Sequence, residues 1–128
     1  ETGLVFGKDY IAFYEPTMVR FWFLTADAKE SIIDVLEETS EGNILSDYDL
    51  EELSCLFPDR RFGDLFFLMK SGFAIFPNYM NNGEIKATCG YSPYDRHSIA
   101  CFGTSEQWGR EPVQLSDLFG LILDAVRY

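Results

Sequence analysis

Positive charge is scarce in this 128-residue chain. Ten Lys and Arg stand against 21 Asp and Glu, giving a formal net charge of −11. Nucleic-acid backbones and anionic lipid surfaces are held by clustered basic side chains, so the charge argues against both as partners. Histidine occurs once, at His97. Cys55, Cys89 and Cys101 are the three cysteines, an odd number without regular spacing and without a CxxC pair. That pattern is neither a disulfide framework nor a zinc-ribbon spacing. Cys55 and Cys101 lie in apolar runs and are expected in the core, and a reducing, cytoplasmic setting fits best. No apolar run approaches the length of a membrane span. There is no P-loop, GxSxG, HExxH or EF-hand loop.

Apolar residues are plentiful: they make up 47% of the chain, with 12 Phe, 7 Tyr and 2 Trp. This is too apolar for disorder and enough for one packed core. The pattern predicts strands over Tyr10–Tyr14 and Met18–Leu24, with Pro16 in the turn between them. Arg20 stands inside the second strand and needs an acidic neighbour. A helix is predicted from Ala28 to Thr39, capped by Asp27 with Glu30 three residues on and stopped at Gly42. Ser46 caps a second helix running to about Leu56, and Phe57-Pro58 ends it. Strands follow over Asp64–Met69 and Phe73–Phe76, joined at Ser71-Gly72 as a hairpin. A turn is expected at Asn81-Asn82-Gly83. A buried strand is expected over His97–Phe102, a loop from Ser105 to Pro112, and a last helix after Ser116. That helix would bury Leu118, Leu121, Ile122 and Ala125. The pattern alone gives an α+β chain.

The chemistry-bearing residues concentrate between Arg60 and Ser105. Arg60, Arg61, Gly63 and Asp64 lead into an apolar strand, and Cys89-Gly90-Tyr91 comes before a second one. This order resembles the C-terminal third of the type I phosphodiesterases and nucleotide pyrophosphatases of the alkaline-phosphatase superfamily. There the stretch runs R-x-G-D, apolar strand, P-G-x-x-x-x-P, then H-G-Y. TMVRFWF near the start and PVQLSDLFGLILDAV near the end are similar to further parts of the same pattern.

The resemblance implies an alkaline-phosphatase-like α/β C-terminal portion with an inserted strand-and-helix subdomain. Residues 1–57 would form the insert and residues 58–128 the returning strands and final helix, together one compact domain. It also implies a divalent metal, zinc or manganese, in the parent family. The family's histidine ligand is replaced here by Cys89, which would hold zinc only as thiolate. His97 is a second candidate ligand, and Gly90, Tyr91 and Asp95 are candidate binding residues beside them. Asp95 could orient the His97 imidazole, although two loop residues so spaced are more simply solvated. Arg60 and Arg61 could contact phosphate, but an Arg–Asp pairing that fixes the turn is the simpler role.

In that family a Thr or Ser nucleophile and most metal ligands come from the preceding two thirds of the enzyme. One histidine cannot build its two-metal site. The expectation is therefore the C-terminal portion of a metal-dependent phosphodiesterase- or phosphatase-like hydrolase, inactive by itself and with no cofactor in this chain. Its partner would be the N-terminal catalytic region. The alternative is a stand-alone acidic protein-binding module, inhibitor- or immunity-like. A homodimer through an exposed sheet edge is a further arrangement to test.

Overall fold

The structure, a computed structural model, describes residues 2–80, 82–83, 85–105 and 112–126. Asn81, at the expected turn, and residues 106–111 of the expected loop lie outside them.

Four antiparallel strands form one sheet: β1 (Tyr10–Tyr14), β2 (Met18–Phe23), β3 (Gly42–Ile44) and β4 (Leu65–Met69), in the order β1-β2-β4-β3. The described residues also form three α-helices: α1 (Ala26–Glu37), α2 (Asp47–Glu52) and α3 (Asp117–Val126). The class is α+β. Tight registers set the sheet: Ala12 opposes Phe21, Val19 opposes Phe67, and Ile44 opposes Phe67 from the other side.

Strand alternation sends Ala12, Val19, Phe21, Leu65 and Phe67 to one face, where Ile32 of α1 closes the core. α1 starts two residues earlier than expected. Its cap is Thr25, whose Oγ1 accepts the Ala28 N–H at 3.3 Å. Asp27 instead lies in the first turn, where its charge suits the helix dipole. α2 keeps its Ser46 cap, with Asp49 completing a capping box, but ends at Glu52.

The opposite sheet face is mixed. Arg20 lies over the Phe13 ring at 5.0 Å and pairs with Glu15 at 3.4 Å. The acidic neighbour that Arg20 needs is thus Glu15, across the β1–β2 turn.

Three sequence expectations fail. β4 is flanked on both sides, by β2 and by β3. No edge of β4 remains for Phe73–Phe76, so the hairpin does not form. Instead the Ile75 N–H donates to the Pro16 carbonyl at 2.7 Å and the Tyr79 N–H to the Tyr14 carbonyl at 2.9 Å. This segment runs beside β1, and Tyr79 stacks on Phe13 with centroids 4.9 Å apart. His97–Phe102 likewise is not a strand. It opens in a 3₁₀ turn, Arg96–Ser98, and continues exposed. The residue expected to stop α1, Gly42, opens β3 instead, and a Cβ there would enter the Phe67 ring.

Burial also departs from expectation. Cys55 and Cys101 are exposed, as is Cys89. In α3 only Leu121 is buried, and Ile122 and Ala125 are exposed.

Candidate functional site

Cys89-Gly90-Tyr91 sits against the β1–β2 turn. The buried Thr17 hydroxyl lies 3.0 Å from the Gly90 carbonyl, to which it donates, and 3.3 Å from that of Cys89. Gly90 has φ +98°, and a Cβ there would meet Thr17 Oγ1 at 2.8 Å. Both the backbone angle and the close approach require glycine. The Tyr91 hydroxyl donates to the Phe73 carbonyl at 3.0 Å. The turn is therefore held at both ends, and Cys89 is presented at the surface between them.

Asp95 and His97 are adjacent in space, but through backbone. Asp95 Oδ1 accepts the His97 backbone N–H at 2.8 Å and caps the 3₁₀ turn. This bond holds the Asp95 carboxyl below the usual carboxylate range, with smaller help from Ser71 and the nearby Arg96 and His97 charges. The imidazole turns elsewhere: its Nε2 accepts from Arg96 Nε at 3.1 Å. Asp95 therefore positions the chain at His97 and leaves the ring to Arg96.

The arginine cluster is likewise engaged. Arg60 makes a two-pronged pair with Asp47, at 2.9 and 2.6 Å, tying the segment before β4 to the start of α2. Arg61 pairs with Asp59 at 2.7 Å. These bonds hold both aspartates below the usual range. The expected Arg–Asp pairing exists, but not with Asp64. That residue's carboxylate accepts the Phe23 N–H at 2.9 Å, and its own N–H donates to Phe21 at 2.7 Å, stitching β4's entry to β2.

No group of three or more His, Cys, Asp or Glu is placed to hold a metal ion among the described residues. Thr17 is the site residue that sequence reasoning missed. A threonine after a turn proline carries no local signal for a contact more than seventy residues away.

No protein-family model, curated protein or solved structure matches this chain.

Proposed function

We propose that the chain is the C-terminal portion of a metal-dependent phosphodiesterase- or phosphatase-like hydrolase and is not catalytic by itself. The order of Arg61-Phe62-Gly63-Asp64, the apolar β4 and Cys89-Gly90-Tyr91 motivates the reading. One structural observation carries it, the exposed apolar stripe of α3. Leu115 in the turn before it, and Phe119, Ile122 and Val126 within it, at successive spacings of four, three and four, are 83%, 72%, 55% and 71% exposed. Leu121 is the one buried residue of α3, and Asp124 is exposed. A surface helix ordinarily turns its charges out and its apolar stripe in. Here a second apolar stripe also faces outward, as suits a helix covered by a larger body. In this reading that body is the catalytic region, which supplies the nucleophile and the metal ligands.

The test is hydrolysis of bis(p-nitrophenyl) phosphate with zinc or manganese. The protein tested would combine the chain with its N-terminal catalytic region and carry Cys89→His. Metal-dependent turnover supports the reading, and failure to bind metal ends it. The second reading, an acidic protein-binding module, is favoured by the open edge of β3.

A further inference from the structure

The outer edge of β3 is unoccupied by any described residue, and its chemistry is defined. The Leu45 N–H donates to Phe66 at 2.9 Å, and the Lys70 N–H to Glu41 at 2.8 Å. Bonded and non-bonded pairs alternate along an antiparallel ladder. With Asn43 opposite Leu68, residues 41, 43 and 45 therefore spend their backbone groups on β4. Gly42 and Ile44 direct theirs outward. Met69, opposite Gly42, agrees, because its N–H donates to Thr17 on the β2 side at 2.8 Å.

This edge has a cleft on each face. On the core face, Ile33, Leu36 and Glu37 of α1, with Ile44, line about 420 Å³. On the other face, Leu68, Asp49, Tyr94 and Asp95 line about 460 Å³. Successive residues of an added strand would point alternately into the two. The first cleft offers Ile33, Leu36 and Ile44 to an apolar side chain, beside the polar Thr39 and Asn43 and the acidic Glu37. The second contains two carboxylates, and its lysine, Lys70, is engaged with the Ser40 carbonyl at 2.7 Å.

We propose that β3 is a docking edge for an extended peptide segment that alternates apolar and basic residues. The segment would join the sheet as a fifth strand through Gly42 and Ile44. It would place apolar side chains against Ile33 and Leu36 and basic ones beside Asp49 and Asp95. Main-chain pairing supplies attachment in such strand addition, and the side-chain pockets supply selectivity. Charge selects the occupant. A second copy of this chain, at net −11, would bring carboxylates against carboxylates. A basic segment is attracted. The proposal is independent of the hydrolase reading, because neither Cys89 nor α3 takes part.

The experiment titrates the isotope-labelled chain with a synthetic peptide of alternating Val and Lys, read by amide NMR. Shifts centred on Gly42 and Ile44, with slowed exchange of those two amides, are expected. N-methylating alternate peptide bonds should weaken binding tenfold or more. Replacing Lys by Glu in the peptide should do the same, and Glu37→Lys, at an exposed position, should weaken binding several-fold. Equal binding of the N-methylated peptide, with shifts spread over the acidic surface, would overturn the proposal. So would absence of binding, or self-association of the chain through β3.

Discussion

The Thr17 hydroxyl joins the β1–β2 turn to the carbonyl of Gly90, 3.0 Å away and remote in sequence. Thr17→Val keeps the shape and deletes the donor, leaving both carbonyls of the Cys89-Gly90 turn without this partner. The expected loss is about 1 kcal/mol of unfolding free energy. Thr17→Ser should retain most of it. Urea denaturation of the two variants checks this.

Gly42→Ala should be worse than its size suggests. The new methyl would enter the Phe67 ring and lie 2.9 Å from the Leu68 carbonyl. Overpacking of this kind costs about 1–3 kcal/mol. A drop in denaturation midpoint at unchanged slope is the expected result.

Four aspartates, Asp47, Asp49, Asp59 and Asp95, are held below the ordinary carboxylate range by hydrogen bonds to Arg60, Ser46, Arg61 and the His97 backbone respectively. A carboxyl with a lowered native pKa stabilises the fold fully above its unfolded value. That contribution disappears as pH falls from the ordinary carboxylate value through the lowered native ones. Thermal melts should therefore be flat toward neutral pH and fall in that acid window. Asp47→Asn should flatten part of the fall.

The two sides of α3 should respond oppositely to substitution. Leu121 is 5% exposed, and Leu121→Ala should cost about 2–5 kcal/mol. Phe119→Ser, on the outward stripe, should change the stability of the 128-residue chain by less than about 0.5 kcal/mol. Within a larger protein that covers the stripe, the same substitution should destabilise strongly. Chemical denaturation of both variants in both contexts checks this.

Strands β1, β2 and β4 and helices α1 and α2 were legible because period and caps are local. Tyr10–Tyr14 and Leu65–Met69 are aromatic or aliphatic runs bounded by turn residues, and Ser46 announces α2. β3 was not legible. Three residues, Gly-Asn-Ile, carry no period, and the Phe67 ring that fills the space at Gly42 lies outside any local window. Phe73–Phe76 and His97–Phe102 show the reverse case. Their composition suits strands, but neither pairs into the sheet, and pairing order lies outside any local window.

The candidate site was partly legible. Gly90 was singled out, and its positive φ and tight approach to Thr17 give the physical reason for a glycine there. The partition of Asp95 to the His97 backbone, and of the imidazole to Arg96, depends on a one-turn conformation that residue types alone do not fix. The exposure of Cys55 and Cys101 is tertiary in origin, since an apolar run is buried only where something packs on it.

The most direct test is the intact mass of the natural gene product in its source cells. The account predicts a product several times the 14.7 kDa of this chain, with Phe119 shielded from solvent. A product of 14.7 kDa in which Phe119 is accessible would contradict it.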